Sequence, residues 1–331
     1  MTEKPLVSIG CLTYNHAPYI RQCIEGFLMQ NTDFPFEIII NDDCSTDGTT
    51  EIIKEYEKQY PNLINAIYHS ENQFSKGVKG MFNKYVFPVA QGKYMAICEG
   101  DDYWTDPLKL QKQVDFLENH PDYTMCFHDV DIKAELGRDS YDVFGKLEDK
   151  DYDAFEDIVT WCVPTGSMLF KKEMTDKIPS NSRFTMGDNV IVLTCGQYGR
   201  IRCIPKKMGV YRLTSSGWIG SQSAKIQRYK YISHYYGLIE SFPSCQNEKM
   251  YEILQNQYFQ LLTILKREGN MEEFERVKFQ YLENFPVQTH IELFNKYYRI
   301  EQVRYYTKKV LGKNFSKLVS KLRAYFSGMI H

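Results

Sequence analysis

Three acids stand within four positions of the stretch CEGDDYW (98–104), at Glu99, Asp101 and Asp102. Like charges this close repel one another, so folding alone gives no reason to collect them. A hard divalent cation would offset the repulsion, because Mg²⁺ takes oxygen ligands and often combines one or two carboxylates with substrate phosphates. The pattern therefore favours Glu99 and Asp101 as ligands of a metal that lies on a diphosphate. The alternative is a set of helix caps and surface acids, a role that suits Asp106 and is open to Asp102.

A second acidic group, NDDCSTDGT (41–49), follows an apolar segment that is typical of a strand. Its Ser, Asp and Gly residues suit a turn and a helix cap. Asp42 and Asp43 exceed what a cap needs, and a carboxylate at a strand end can accept hydrogen bonds from a nucleobase N–H or a ribose hydroxyl. A further polar group follows the first apolar segment and consists of Thr13, Tyr14 and Asn15.

A third acid, Asp188 in MGDN (186–189), opens a predicted helix. A helix cap is the more common explanation of an acid there, and a general base in the same cleft is the functional alternative. The sequence has no P-loop and no GxGxxG after its first predicted strand, so a glycine cradle for phosphate is not expected.

Apolar, β-branched segments alternate with amphipathic ones along the chain. The predicted strands are 6–14, 36–42, 64–70, 93–100, 123–132, 163–172 and 201–212. The predicted helices are 18–30, 49–60, about 78–90, 106–120 and 187–199, with helical signal from about 222 onwards. Such alternation predicts an α/β fold with a mostly parallel, doubly wound sheet. Because these sheets bind ligands at the carboxyl ends of their strands, we expect the polar groups to meet in one crevice.

Length and composition bound the possible classes of protein. The 331 residues, 43% of them apolar, suffice for one large domain with a smaller one, which we predict as 1–220 and 221–331. The formal net charge of -2 argues against nucleic-acid binding. The cysteines show no disulfide or zinc-ligand spacing, and the chain shows neither a signal peptide nor a membrane-spanning apolar run. We therefore expect a cytoplasmic protein, or one on the inner face of the cell membrane.

The segment 303–326 is basic and amphipathic, and no Asp or Glu follows Glu301. One interpretation is a terminal helix docked on its own domain with a solvated basic face. The other is a helix that rests on an anionic bilayer as a peripheral contact.

Several landmarks resemble, in order, those of glycosyltransferase family 2, the inverting enzymes of the GT-A fold. They are VSIGCLTYN (7–15), NDDCSTDGT (41–49), GKYMAICEGDDYW (92–104), GD (187–188) and YR (211–212). The similarity extends over roughly residues 5–215, and as an ordered set it is specific. The resemblance implies transfer of a sugar from a nucleotide-diphosphate sugar to a hydroxyl of a glycan or lipid-linked acceptor, in bacterial surface polysaccharide synthesis.

The resemblance also implies roles for individual residues. Asp188 would be the catalytic base, and Asp101 with Glu99 would bind Mn²⁺ or Mg²⁺. Tyr14 and Asp43 would contact the nucleobase. The remaining donor-side residues would be Thr13 and Asn15 in the nucleotide loop, Asp42 and Glu99 at the ribose, and Arg212 or Lys79 at the diphosphate. The acceptor-side candidates are Trp104, His128 and Thr165.

Three positions depart from the family pattern. Glu99 replaces the usual first Asp of the metal motif, Cys44 replaces a frequent Gly, and Leu213–Thr214 stand where many members have a histidine that could reach the metal. Two other functions compete. A sugar-nucleotide nucleotidylyltransferase would need a Gly-rich, Arg-containing first loop, which CLTYNHAPY (11–19) is not. A non-catalytic nucleotide- or glycan-binding member is disfavoured because Asp101 and Asp188 are retained.

Overall fold

The computed structural model describes residues 4–135, 142–157, 159, 163–214 and 222–285. Residue contacts divide the chain into two compact units. The first comprises 1–222 and 233–246, and the second comprises 223–232 and 247–331. The domain boundary near residue 220 stays a prediction, and the structure groups 233–246 with the first unit. The predicted helix at 303–326 lies outside the described residues.

A single mixed sheet forms the centre of the first unit. Its strands are β1 (Val7–Thr13), β2 (Phe36–Asp42), β3 (Ile64–Tyr68), β4 (Tyr94–Glu99), β5 (Tyr103–Trp104), β6 (Tyr123–Ala134), β7 (Leu169–Lys171) and β8 (Arg200–Leu213). Their order across the sheet is β3-β2-β1-β4-β7-β6-β8-β5. The first four strands in this order are parallel, as are β6 and β8, so the predicted mostly parallel α/β fold is confirmed.

The helices follow the amphipathic segments of the sequence. They are α1 (Ile20–Leu28), α2 (Thr49–Gln59), α3 (Lys109–Asn119), α4 (Gly187–Tyr198), α5 (Ala224–Ser241), α6 (Glu248–Glu268) and α7 (Met271–Asn284). Shorter turns are a π-helical turn at Phe82–Val86 and 3₁₀ turns at Thr165–Ser167, Lys172–Lys177 and Pro243–Cys245. Within the described residues, no helix is long and apolar enough to cross a membrane.

The strands β1, β2 and β4 are buried on both faces, which explains their nearly continuous apolar sequences. In the parallel register Thr13 lies beside Asp42, and Leu12 lies beside Glu99. The carboxyl ends of the three strands are therefore level at one edge of the sheet. This register places three of the polar groups of the sequence together.

Three predicted elements differ from the structure. The helix predicted at about 78–90 is only a π-helical turn at Phe82–Val86. The predicted strand at 163–172 is a 3₁₀ turn followed by the short strand β7, which runs antiparallel to β4 and β6. The helix predicted from Asp106 begins at Lys109, because Asp106 Oδ1 accepts a hydrogen bond from the Leu108 N–H (2.8 Å) in the turn before it. Asp106 thus stabilises the turn into α3, and its carbonyl oxygen accepts a hydrogen bond from the N–H of the first helical residue, Lys109 (3.1 Å).

Helix α1 packs closely against β5, directly after the acidic stretch. A Cβ atom at Gly26 would lie 2.9 Å from the Trp104 backbone nitrogen and 3.1 Å from its carbonyl oxygen. Trp104 also packs edge-on against Phe27, with ring centroids 4.7 Å apart. Because the opposing atoms are backbone, α1 or β5 would have to move to accept a larger residue.

We expect Gly26→Ala to lower the free energy of unfolding by about 1–3 kcal/mol, the usual cost of overpacking, despite the better helix propensity of Ala. Urea denaturation measures this. Met29→Ala, at the exposed end of the same helix, is the matched control and should change stability by less than about 0.5 kcal/mol. Equal stability of Gly26→Ala and wild type would contradict the close contact.

Candidate active site

The chain after β4 packs tightly at Gly100 against the end of β1. A Cβ atom at Gly100 would lie 2.7 Å from Thr13 Oγ1 and 3.0 Å from His16 Nδ1. Both of these atoms are buried and make no hydrogen bond in the structure. Buried polar atoms are normally paired with protein, water or ligand, so these two atoms are candidates for contact with a polar ligand group. His16 was missed in the sequence, although it directly follows the predicted nucleotide loop.

The charges of Asp101 and Asp188 both act on Glu99. Removal from bulk water and the negative charges of Asp101 and Asp188 raise the pKa of Glu99. Since the Glu99 side chain still opens to solvent, we regard the repulsion from its two neighbours as the decisive cause. The fold therefore brings the predicted base close enough to the metal-motif acids for their charges to interact.

Residues at the end of β8 form hydrogen bonds with the acidic turn at 99–102. Asp102 Oδ1 accepts a hydrogen bond from the Arg212 backbone N–H (2.7 Å), and Thr214 Oγ1 donates to Asp101 Oδ2 (3.2 Å). The Arg212 guanidinium donates to the Asp101 carbonyl oxygen and stacks 4.3 Å from the Tyr103 ring centroid. Thr214, where many members have histidine, thus contacts the main predicted metal ligand.

Arg212 is therefore engaged within the protein. Arg212 is buried, and its second terminal nitrogen donates a hydrogen bond to the Gln22 side chain. The guanidinium carbon of Arg212 also lies 5.1 Å from the centroid of the Tyr19 ring. The predicted contact with a diphosphate would need part of this arrangement to be exchanged. The other candidate, Lys79, is exposed and donates from Nζ to the Ser182 carbonyl oxygen (2.6 Å).

Many polar groups of the loop after β2 already form hydrogen bonds within the protein. Asp42 accepts hydrogen bonds from the Ser45 N–H (3.1 Å) and from the Thr50 hydroxyl, so its carboxylate holds the loop. Asn15 Oδ1 accepts from the Thr46 N–H (2.8 Å). Cys44 has φ +63°, in the left-handed region, which explains why Gly is frequent at this position in the family.

Asp43 and Tyr14 differ in their exposure. Asp43 is buried, and its two oxygens accept hydrogen bonds from the backbone N–H groups of Gln73 (2.7 Å) and Phe74 (3.0 Å). Asp43 therefore joins the β2 end to the loop after β3. Tyr14 is 44% exposed, so its ring is available to a ligand.

Asp188 lies in the first turn of α4, one residue after Gly187, while the N-cap position belongs to Met186. Its Oδ1 accepts a hydrogen bond from the Asn189 backbone N–H (2.8 Å), and its carboxylate also accepts one from the Thr165 side chain. Burial raises the pKa of Asp188, and these hydrogen bonds oppose the rise. A raised pKa makes this carboxylate a stronger proton acceptor than an ordinary aspartate.

The sequence model of "Glycosyl transferase family 2" matches residues 8–179, which is more than half of the chain. The chain belongs to glycosyl transferase family 2. The uncharacterized protein Rv1520 of Mycobacterium tuberculosis is 40% identical over 214 residues, which cover 64% of this chain and 60% of that protein. The putative teichuronic acid biosynthesis glycosyltransferase TuaG of Bacillus subtilis is 40% identical over 114 residues, or 34% of this chain and 42% of TuaG.

Solved structures of glycosyltransferases share the fold of this family 2 chain. Staphylococcus aureus TarS 1–349 in complex with UDP-GlcNAc has a TM-score of 0.55 at 18% identity, over 80% of this chain and 72% of that one. The mannosyltransferase PcManGT from Pyrobaculum calidifontis, in complex with GDP-Man and Mn²⁺, also has a TM-score of 0.55, at 15% identity over 94% and 89% of the two chains. The predicted GT-A fold is thus confirmed.

Trp104 and His128 lie in the interior of the family 2 fold. Trp104 is 2% exposed, its Nε1 donates to the Gly166 carbonyl oxygen (2.7 Å), and Lys109 Nζ lies 4.0 Å from its ring centroid. His128 is fully buried, and burial lowers its pKa well below the usual value. Their contact with an acceptor stays a prediction, which this burial disfavours.

Asp102 differs from Asp101 in that its carboxyl serves the fold. Burial, together with the charge of Asp101, raises the pKa of Asp102 well above its usual value, which favours the neutral acid. We expect Asp102→Asn, which keeps an acceptor oxygen for the Arg212 N–H, to unfold at nearly the wild-type temperature. Asp102→Ala leaves that N–H unpaired and should cost about 1–3 kcal/mol. Calorimetry that ranks the two variants equally would contradict this role.

Proposed function

We propose that this chain is an inverting, metal-dependent glycosyltransferase. It moves a sugar from a nucleotide-diphosphate sugar to a hydroxyl of a glycan or lipid-linked acceptor in bacterial surface polysaccharide synthesis. The observation that supports the proposal is that the charges of Asp101 and Asp188 both act on Glu99, at the strand ends of a fold that belongs to this family. The chain spans 60% of the length of Rv1520, so the activity of the whole protein is part of the proposal.

The residues present fit a divalent metal that is completed by substrate. Within the described residues no group of three or more His, Cys, Asp or Glu side chains could hold a metal. Mg²⁺ and Mn²⁺ need only one or two carboxylates where phosphates and waters supply the remaining ligands. Asp101 would be the main ligand and Glu99 the second, and the ion would neutralise charge that develops on the departing diphosphate.

The donor side is proposed from the crevice at the strand ends. Exposed Tyr14 and buried Asp43 would contact the nucleobase, and Thr13 would satisfy its unpaired hydroxyl on the donor. Asp42 and Asn15 would act by holding this loop, since both side chains already bond within it. Arg212 would act chiefly by fixing the acidic turn, which leaves the exposed Lys79 as a candidate for direct contact with the diphosphate.

Asp188 is proposed as the general base. The acceptor hydroxyl oxygen attacks the anomeric carbon from the side opposite the diphosphate, and the bond from that carbon to the phosphate oxygen breaks. The hydroxyl proton passes to the Asp188 carboxylate, and the electron pair of the broken bond leaves with the nucleoside diphosphate. One such displacement inverts the configuration of the anomeric carbon. No observation on this chain favours the nucleotidylyltransferase alternative.

The names of similar proteins support a nucleotide-sugar donor and a role in polysaccharide synthesis. The TarS structure contains UDP-GlcNAc, and the PcManGT structure contains GDP-Man and Mn²⁺. TuaG is named for teichuronic acid biosynthesis. On this basis we propose a nucleotide-sugar donor and a polysaccharide product for this chain, and a site of action in the cytoplasm or on the inner face of the cell membrane. Contact of 303–326 with the membrane and the role of the second unit in acceptor binding also remain proposals.

The test separates chemistry from donor binding. Asp188→Asn should lower turnover by about a hundredfold or more while UDP or GDP still binds in the presence of Mn²⁺, because the amide has no basic oxygen. Asp101→Ala, or chelation of the metal in wild type, should instead weaken nucleotide binding by titration calorimetry. Near wild-type turnover by Asp188→Asn would overturn the proposed base, and nucleotide binding without turnover by wild type would favour a non-catalytic member.

Thr165 provides a pH-dependent test of the same base. Its hydroxyl lowers the pKa of Asp188, so Thr165→Val should raise that pKa further. The base works only when deprotonated, and the acidic limb of the kcat profile should therefore move to higher pH, by about half to one pH unit. Thr165→Ser keeps the hydroxyl and should retain the wild-type limb. Superimposable profiles for Thr165→Val and wild type would contradict the contact.

A further inference from the structure

The loop before α4 takes its position from the second half of α5. Asn181 Nδ2 donates to Glu240 Oε2 (3.0 Å), and Arg183 Nε pairs with Glu240 Oε1 (3.0 Å). The approach is close at Gly237, where a Cβ atom would lie 3.0 Å from both Arg183 Cβ and the Phe184 ring. All of these residues belong to the first unit. The segment 181–189, which ends in the proposed base and its neighbour, is therefore docked on α5.

One fully buried imidazole on α5 joins both sides of the proposed base. The Thr185 backbone N–H donates to His234 Nδ1 (3.3 Å), and His234 Nε2 lies 3.1 Å from Asn189 Oδ1. A backbone N–H can only donate, so Nδ1 is the unprotonated nitrogen and Nε2–H donates to Asn189. Burial lowers the pKa of His234 to about 3, which keeps this neutral form at physiological pH.

The two hydrogen bonds of His234 reach residues on either side of the Asp188 carboxylate. Asn189, whose side chain His234 holds, donates its backbone N–H to Asp188 Oδ1 (2.8 Å). Thr185, held by the other nitrogen, lies three residues before Asp188. We infer that His234 is a positioning residue, which fixes the direction of the Asp188 carboxylate by restraining the chain on both sides of it. The inference rests on the proposed function, because it assumes that Asp188 is the base.

A small displacement of a base is costly, since misplacement by about 1 Å can reduce turnover about a hundredfold. His234→Phe keeps a buried aromatic ring and removes both hydrogen bonds. It should lower kcat about ten- to a hundredfold, while the dissociation constant for UDP or GDP with Mn²⁺ stays within about twofold of wild type. His234→Gln restores a donor toward Asn189 and should recover part of the lost kcat.

Leu238→Ala is the matched control, because Leu238 is also fully buried on α5 and offers no hydrogen bond to the loop. The experiment measures kcat, nucleotide binding and melting temperature for each full-length variant. The inference is overturned if Leu238→Ala loses as much kcat as His234→Phe at a similar loss of melting temperature. It is also overturned, alone, if Asp188→Asn is inactive while His234→Phe turns over normally. Normal turnover by Asp188→Asn overturns the proposed function and the inference together.

Discussion

The site depends on one constraint, which is the level register of three parallel strands. Because β1, β2 and β4 end together, the polar residues that follow them lie at the same edge of the sheet. The sheet core that fixes this register is apolar and fully buried, so its packing free energy is available to oppose repulsion among the acids. The acidic crevice is thus maintained by the strands behind it.

Neighbouring acids in this crevice serve different ends because their partners differ. Asp102 is turned inward to the β8 backbone, and Asp42 is turned into its own loop, so both stabilise the fold. Glu99 is exposed as a residue, and both removal from bulk water and the nearby negative charges raise the pKa of its carboxyl. Which of these acids stabilise the fold therefore follows from which backbone N–H groups and hydroxyls lie within reach.

The sequence was sufficient for the α/β fold and the order of most elements, because the pattern of apolar and polar residues predicts burial locally. It was insufficient for the turn at 165–167, whose apolar surroundings resemble those of a strand but whose chain bends to reach β7. It also could not show that Arg212 is enclosed by Tyr19 and Tyr103, or that His16 faces Gly100, since these contacts join distant segments.

Helix α5 begins in one compact unit and ends in the other. A fragment cut at the end of β8 would keep every family landmark and yet lose the helix face on which the loop before α4 is docked. The shortest autonomous transferase fragment should therefore extend at least to Gln246, beyond the limit that the family motifs alone suggest. The family motifs in this chain therefore end earlier than the compact unit that contains them. A domain exchanged among relatives would have to be cut at the boundary of the compact unit.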